Sequence, residues 1–212
     1  MNITGTGIAE PCLYNNVTLN IAVTSDIPAN AMFVITVVKD GGAPVTVPNT
    51  NGVGTYTVTE AGTYVVTAYT YDAVTNCQSL SVSQTFTFYP VPQNPTLTAN
   101  PAEFCLGEST TLTALPYSST YTYLFTGQTV GSNNNTLVVT PEIPGTFTYN
   151  VSITTTDNCV VNATVDVIVN PLPEIESITS LYECPNVVNN VPVANVTSGT
   201  PPYTYTWSGT GL

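Results

Sequence analysis

The chain has 212 residues, of which 42% are hydrophobic and only 7% are charged. This length suits two small domains and part of a third, and the hydrophobic fraction is enough to bury their cores. Lys39 is the only basic residue against thirteen acidic residues, which gives a net charge of -12 at pH 7. Because nucleic acids and anionic lipids are bound through cationic side chains, the composition excludes both as partners. No apolar run approaches the roughly 18 residues of a transmembrane helix, so we expect no membrane insertion.

The first predicted unit, residues 1–91, consists of short β-strands joined by turns. Residues Val17–Val23 alternate apolar and polar side chains, which is the period of a half-buried strand. β-Branched and aromatic residues dominate the later segments, and no segment shows a helical period. The strands that we predict in this unit are Val17–Val23, Phe33–Val38, Val45–Val47, Tyr56–Val58, Thr63–Tyr71 and Ser81–Phe88.

The second predicted unit, residues 92–171, has the same character. Its segments include a cleanly alternating strand at Thr110–Leu115 and a long pair of strands at its end. About seven short strands of this kind are expected for an immunoglobulin-like β-sandwich. The main strands that we predict are Thr96–Ala99, Thr110–Leu115, Tyr121–Phe125, Thr136–Thr140, Gly145–Ile153 and Thr164–Asn170.

A third predicted unit occupies residues 172–212. Its predicted strands are Ile175–Ile178, Val191–Val196 and Tyr203–Gly209. The long strand pair that closes each of the other units has no counterpart here. We therefore expect this unit to be the N-terminal part of an incomplete sandwich, which needs further strands to fold.

The first two units repeat one order of features: a Gly-Thr-aromatic strand, an Asn-Cys turn, a final strand and a proline-rich exit. The glycine and the cysteine are 15 positions apart in the first unit (62 to 77) and 14 in the second (145 to 159). Proline restricts its own backbone and that of the preceding residue, so these exits act as short semi-rigid linkers. The pattern predicts an extended array of tandem immunoglobulin-like sandwiches. The linker prolines are Pro90, Pro92, Pro171 and Pro173.

Five cysteines and no histidine are present, and no two cysteines have the spacing of a zinc knuckle. A thiol without a histidine to activate it is also a poor catalyst. Each complete unit has one early and one late cysteine, which indicates disulfides and an oxidising compartment. Pairing within units would join Cys12 to Cys77 and Cys105 to Cys159, and it would leave Cys184 unpaired. Because the early and late positions lie at opposite ends of a standard sandwich, a bond between Cys12 and Cys159 across the first linker stays open as the alternative.

Aromatic residues alternate along one strand of the second unit and one of the third. Tyr203, Tyr205 and Trp207 share one face of the predicted strand, as do Tyr121, Tyr123 and Phe125. We interpret the matching positions as core aromatic residues, with Trp207 in the place of the buried tryptophan of such sandwiches. An exposed platform for sugars is the other interpretation. The predicted core aromatic residues are Tyr123, Phe125, Tyr205 and Trp207.

The acidic residues are spread singly along the chain, and only Glu174 and Glu176 lie close together. Nothing marks a carboxylate pair for glycoside hydrolysis, a Ser-His-Asp triad or a glycine-rich phosphate loop. We therefore expect no enzyme activity and no cofactor. A weak Ca²⁺ site, formed by Glu174 and Glu176 with Asp72 or Asp157, is the single metal alternative, although no Asp-x-Asp-x-Asp-Gly loop accompanies it.

The segment Ser198–Ser208, Ser-Gly-Thr-Pro-Pro-Tyr-Thr-Tyr-Thr-Trp-Ser, resembles the signature of SprB-type repeats in gliding-motility adhesins of Bacteroidota. The Gly145–Tyr149 segment, Asp157-Asn158-Cys159 and the Pro-Leu-Pro exit are similar to related immunoglobulin-like repeats of that group. The resemblance implies a very large surface protein that is exported by the type IX secretion pathway and grips surfaces and polysaccharide. It also implies partners among neighbouring repeats, surface polysaccharide, and the secretion or motility machinery.

These expectations together predict a non-catalytic, structural and adhesive stalk within a longer secreted protein of the bacterial cell surface. Two alternatives stay open. One is a carbohydrate-binding accessory module of a secreted enzyme. The other is a subunit of an extracellular filament in which an incomplete unit is completed by strand exchange.

Overall fold

A computed structural model describes residues 2–6, 11–24, 31–127, 134–178 and 193–208. Every regular element in these residues is a β-strand, which confirms the predicted all-β class. None of them forms a helix long and apolar enough to cross a bilayer. In chain order the strands are β1 (Asn2–Thr6), β2 (Val17–Thr24), β3 (Ala31–Lys39), β4 (Val45–Val47), β5 (Asn49–Thr50), β6 (Val53–Val58), β7 (Gly62–Asp72), β8 (Cys77–Gln78), β9 (Val82–Phe88), β10 (Thr96–Asn100), β11 (Glu103–Cys105), β12 (Thr110–Leu115), β13 (Thr122–Thr126), β14 (Thr136–Val139), β15 (Gly145–Thr154), β16 (Val160–Asn170), β17 (Ile175–Ile178) and β18 (Ala194–Val196).

The contacts between residues divide the chain into two compact units. The first unit is Met1–Pro92 together with Thr155–Val160, and the second is Gln93–Thr154 together with Val161–Leu212. The short sheet of β17 and β18 therefore belongs to the second unit by its contacts. The division into three parts, with boundaries after residues 91 and 171, stays a prediction.

The first unit contains two β-sheets that enclose one core. One sheet has the order β1-β2-β6-β5; in the other, β4, β3 and β7 follow one another, and both β8 and β9 pair with β7. Alternate residues of β2 point inward, as the period-two pattern of its sequence predicts. The buried core residues are Ile3, Leu19, Ile21, Val23, Ile35, Val37, Val47, Val58, Tyr64, Val66, Ala68 and Phe88.

The second unit is built in the same way around its own core. Its sheets have the orders β10-β12-β14 and β11-β16-β15-β13, and the β11–β16 pair is parallel. Tyr123 and Phe125 are fully buried, so these two residues lie in the core as the sequence pattern predicts. The core residues are Leu97, Phe104, Leu112, Ala114, Tyr123, Phe125, Val139, Tyr149, Val151, Ile153, Val167 and Val169.

The region after β16 differs from the sequence-based prediction. Tyr205 and Trp207 are 48% and 41% exposed and are not core residues. Residues 203–208 form no strand, and β17 pairs only with β18 among the residues that the structure describes. A two-stranded sheet buries too little surface to enclose such large side chains, which explains the difference. The predicted strand Val191–Val196 is observed only as Ala194–Val196; Val193 is not in a strand, and residues 191–192 are outside the described part.

The predicted linkers lie directly after the last strand of each sandwich and have no regular structure. Pro90 and Pro92 follow β9, whereas Pro171 and Pro173 follow β16. Pro92 is buried and Pro90 is exposed, while Pro171 is half-buried and Pro173 is exposed. After Pro171, the Ser198 hydroxyl donates a 2.7 Å hydrogen bond to the Leu172 carbonyl oxygen.

Candidate functional site

The cysteine pairing differs from the pairing within units. Cys12 is bonded to Cys159, with their Cα atoms 5.5 Å apart and a sequence separation of 147. Cys77 and Cys105 are exposed thiols. The predicted bonds Cys12–Cys77 and Cys105–Cys159 are therefore wrong, and the alternative bond is the observed one. Cys184 lies outside the described residues.

The strand register explains why Cys12 cannot reach Cys77. Cys12 bridges Tyr89, the residue after Phe88, and Phe88 pairs with Gly62 at the start of β7. Cys77 pairs with Asp72, at the other end of the same strand. β7 has 11 residues, so at ~3.3 Å per residue its ends lie roughly 30 Å apart, whereas a disulfide requires Cα atoms within ~7 Å.

The same register argument applies to the second sandwich. Cys105 pairs with Asn170 at the end of β16, and Cys159 immediately precedes Val160 at its beginning. With 11 residues in β16, these cysteines also lie at opposite ends of a strand roughly 30 Å long. Early and late cysteines of one sandwich are thus held apart by the length of its last strands.

The residues Thr155–Val160 form the turn that carries Cys159, and by their contacts they belong to the first unit. The Cys159 side chain is fully buried. Its backbone N–H donates to the Thr155 hydroxyl oxygen at 3.1 Å, and its carbonyl oxygen accepts from the Thr155 N–H at 2.9 Å. The Val160 N–H donates to the Tyr14 hydroxyl oxygen at 3.2 Å. The disulfide is therefore supported by hydrogen bonds on the turn that presents it.

A second feature is the aromatic face, which we define as Ile175, Ile178, Tyr205 and Trp207. These side chains line a cavity of about 150 Å³ together with Ala194, Thr204 and Thr206. All four members of the face are more than one third exposed. Apolar rings beside threonine hydroxyls can stack on a sugar ring and hydrogen-bond its edge. Tyr205 and Trp207 are therefore exposed, as the alternative interpretation of an aromatic platform requires, and the binding of sugars stays a prediction.

Of the acidic side chains considered for calcium binding, those of Asp72 and Glu176 accept local hydrogen bonds. Asp72 Oδ1 accepts a hydrogen bond from the Val74 N–H at 2.8 Å. This backbone hydrogen bond lowers the pKa of Asp72. Glu176 Oε2 accepts from the Asn195 side chain at 2.8 Å, and the Glu174 carbonyl oxygen accepts from the Thr197 N–H at 3.0 Å. Over the described ranges no three His, Cys, Asp or Glu side chains converge as a metal site.

Comparison with known proteins gives matches only among solved structures. No family model matches the chain, and no curated protein does. A chain in the structure of the mouse coronavirus receptor-binding domain with its murine receptor is similar at 16% identity, with 81% of this chain and 100% of that chain covered and a TM-score of 0.44. The fibronectin(III)-like modules of Clostridium thermocellum CbhA are similar at 12% identity, with 80% and 95% covered and a TM-score of 0.34.

A third similar structure is the Bacteroides ovatus mixed-linkage glucan utilization locus protein SGBP-B in complex with a mixed-linkage heptasaccharide. The identity is 16%, 74% of this chain and 41% of that chain are covered, and the TM-score is 0.28. The neighbours are immunoglobulin-like and fibronectin(III)-like β-sandwiches. The chain itself consists of tandem β-sandwich domains.

Proposed function

We propose that this chain is a non-catalytic, structural and adhesive segment of a secreted protein that acts at a bacterial cell surface. The observation that carries the proposal is the Cys12–Cys159 disulfide. Disulfides form and persist outside the reducing cytosol, on cell surfaces and in secreted proteins. Two successive sandwiches with separate cores support a structural role, because such modules serve widely as spacers and binding domains of surface proteins.

The chemistry of the surface supports adhesion to uncharged polar material. With one basic residue and a net charge of -12, the chain cannot attract anionic surfaces electrostatically. Its outward strand positions are rich in hydroxyl and amide groups, such as Thr18, Asn20 and Thr111. These groups form hydrogen bonds of the kind that polysaccharides offer. We therefore propose that the chain adheres to neutral polysaccharide.

The test is adhesion of beads that carry the folded chain to glass coated with a neutral polysaccharide. Beads that carry an unrelated protein of equal net charge are the control, so that charge alone cannot produce a difference. We expect retention under flow of the chain-bearing beads and not of the control beads. Equal retention of both would reject adhesion as the function.

The finer assignment is a repeat of a gliding-motility adhesin that is exported by type IX secretion. The Ser198–Ser208 segment motivates it. The test is fluorescent antibody labelling of intact cells of the organism that encodes the chain. We expect labelled foci on the cell surface that move along the cell. Labelling that appears only after the cells are permeabilised would contradict both the localisation and the assignment.

A second candidate function is carbohydrate binding by the aromatic face, as in an accessory module of a secreted enzyme. The exposure of Trp207 and Tyr205 beside a small cavity favours it. Replacing Trp207 by Ala should abolish retardation of the chain in a polysaccharide-containing native gel. Tyr117→Ala is the matched control, because Tyr117 is 63% exposed and lies outside the face. Equal retardation of the two variants would rule out a role for the face.

A further inference from the structure

The observed disulfide joins cysteines at two kinds of position in the sandwich. The two exposed thiols, Cys77 and Cys105, occupy one position of each kind. We call Cys12 and Cys105 strand-end cysteines, because each lies beside the end of the last strand of a sandwich. We call Cys77 and Cys159 hairpin cysteines, because each follows the turn after a long central strand. The bond between Cys12 and Cys159 joins a strand-end cysteine to a hairpin cysteine. Within the described part of the chain, Cys105 is the other strand-end cysteine and Cys77 the other hairpin cysteine.

The strand-end cysteines have the same local structure. In each case the chain reads Glu-x-Cys-Leu, and a fully buried leucine follows the cysteine by seven positions (12 to 19 and 105 to 112). The Leu13 N–H donates to the Tyr89 carbonyl oxygen at 2.9 Å, and the Leu106 N–H donates to the Asn170 carbonyl oxygen at 2.9 Å. Both cysteines pair with the neighbouring strand in the parallel sense. Cys105 is therefore presented as Cys12 is.

The hairpin cysteines also match in geometry. Each directly follows an asparagine in the left-handed region, Asn76 with φ 56° and Asn158 with φ 62°. Asparagine tolerates this conformation better than most residues, so the two turns are held alike. The Sγ atom of Cys77 lies 3.7 Å from the Thr75 carbonyl oxygen, and that of Cys159 lies 4.0 Å from the Asp157 carbonyl oxygen. Both sulfurs thus lie close to the carbonyl oxygen of the residue two positions earlier, although Cys77 is exposed and Cys159 is buried.

We propose that Cys105 and Cys77 are complementary linking sites, through which one copy of this chain joins a second copy by a disulfide between Cys105 of one and Cys77 of the other. The argument is that the backbone setting of each cysteine of the existing bond recurs at an exposed cysteine: the parallel pairing and the following leucine at Cys105, and the left-handed asparagine at Cys77. Each copy carries one Cys105 and one Cys77, so the link joins different surfaces of the two copies. Such a heterologous contact can repeat from copy to copy. The disulfide among the described residues joins a strand-end cysteine to a hairpin cysteine, so it offers no model for a bond between two cysteines of one kind.

The chemistry is thiol–disulfide exchange with a low-molecular-weight disulfide as the oxidant, for which glutathione disulfide serves. The Cys105 thiolate attacks one sulfur of glutathione disulfide, which forms a mixed disulfide and releases one glutathione thiolate. The Cys77 thiolate of the second copy then attacks the Cys105 sulfur and releases the second glutathione. Two protein thiols lose two protons and two electrons in all, and one glutathione disulfide is reduced to two glutathione molecules.

The experiment separates the predicted pairing from random oxidation by dividing the two thiols between two proteins. Both variants carry Cys184→Ser, so that the cysteine outside the described residues takes no part. One also carries Cys77→Ser and keeps only Cys105, and the other also carries Cys105→Ser and keeps only Cys77. Each protein is incubated with glutathione disulfide alone and mixed with the other, and dimers are separated on non-reducing gels and mapped by mass spectrometry.

We expect covalent dimers in the mixture and monomers in either protein alone, with the mixed dimer at least about ten times as abundant as either homodimer. The linked peptides should contain Cys105 and Cys77, and the Cys12–Cys159 peptide should be unchanged. Homodimers in a statistical proportion would overturn the proposal, and so would the absence of any dimer. Unchanged thermal unfolding by circular dichroism should show that the serine variants keep the fold, which is expected because both positions are exposed.

Discussion

Lys39, the only basic side chain in the sequence, forms an ion pair at the surface. Its Nζ lies 2.6 Å from Glu60 Oε2 and 3.6 Å from Asp40 Oδ2. The hydrogen bond with Lys39 lowers the pKa of Glu60, and the same bond raises the pKa of Lys39. Because the pKa of Glu60 is lowered by folding, its stabilising effect is present above its ordinary pKa and is lost as the pH falls through the lowered value.

We predict that Lys39→Met raises the pKa of Glu60 towards its ordinary range, because the charged partner is removed. Lys39→Arg is the control, since it keeps the charge and the donor. The measurement is an NMR titration of the Glu60 side-chain carboxyl carbon. An identical Glu60 titration in the Met and Arg variants would contradict the assignment of the shift to this ion pair.

Two glycines with similar backbone conformations make a matched pair for a stability test. Gly52 has a φ of +81°, and a Cβ added there would lie 2.6 Å from the Val23 carbonyl oxygen. Gly41 has a φ of +73°, and a Cβ there would meet nothing within 4 Å. We expect Gly52→Ala to lower the free energy of unfolding by about 3 kcal/mol and Gly41→Ala by about 1 kcal/mol, since only the first adds a backbone clash to the conformational strain. Equal losses in urea denaturation would show that the clash is relieved by small shifts.

At the scale of the strand, local sequence pattern and observed structure agree where a strand is long and half-buried. The predicted strand Ser81–Phe88 is observed as Val82–Phe88, and Thr110–Leu115 is observed with the same bounds. β11, in contrast, has only three residues, and it exists because it pairs with β16, more than fifty residues away in sequence. Alternation within three residues carries no signal, so such a strand cannot be found from the sequence.

For the aromatic segment the prediction fails in the opposite way, because the alternating pattern is present but no strand forms. Tyr203, Tyr205 and Trp207 alternate as strand residues do, but a strand also needs a neighbour to pair with. Tyr203 is fixed instead by its hydroxyl group, whose single proton is shared between the Ser198 and Gly199 carbonyl oxygens, each 3.1 Å away. The alternating pattern therefore identified the aromatic side chains but not whether they are buried.

Neighbouring residues of β13 test the inward and outward faces of the second sandwich. Phe125 is fully buried, whereas Leu124 is 48% exposed. We expect Phe125→Ala to lower the free energy of unfolding by about 4 kcal/mol through lost burial and a cavity, and Leu124→Ala to lower it by less than about 1 kcal/mol. Native-state hydrogen exchange of the β15 amide groups, which pair with β13, provides the measurement. Similar losses for both residues would mean that the register of β13 is wrong.

At the scale of the molecule, the disulfide joins two residues that are far apart in sequence. Its separation of 147 residues corresponds to about 5 kcal/mol of restricted unfolded-state entropy in the chain-entropy model. We predict that the double variant Cys12→Ser, Cys159→Ser loses stability of this order in urea denaturation. The double variant Cys77→Ser, Cys105→Ser removes the same number of sulfurs from exposed sites and should change stability by less than about 0.5 kcal/mol. If both variants unfold alike, the bond does not stabilise the folded chain.

The sequence established that cysteines occur in early and late pairs, and the expected position of these pairs at opposite ends of a standard sandwich raised the objection to pairing within a unit. It could not select the observed bond, because the partners of Cys12 and Cys159 are defined by residues remote in sequence, such as Tyr89 and Tyr14. The all-β class follows from composition and period, which are local properties. The extended arrangement of the units depends on the linkers and stays a prediction, for which small-angle scattering is the measurement.

The bond between Cys12 and Cys159 also determines what happens when the two chain ends are pulled apart. Tension that enters at residue 12 crosses the sulfur bridge to residue 159, so the intervening loop bears no load. A loop of 147 residues represents roughly 500 Å of contour length at ~3.5 Å per residue that mechanical stretching cannot release. Under tension, such a chain would extend only in the segments outside the disulfide loop until a reductant broke the disulfide.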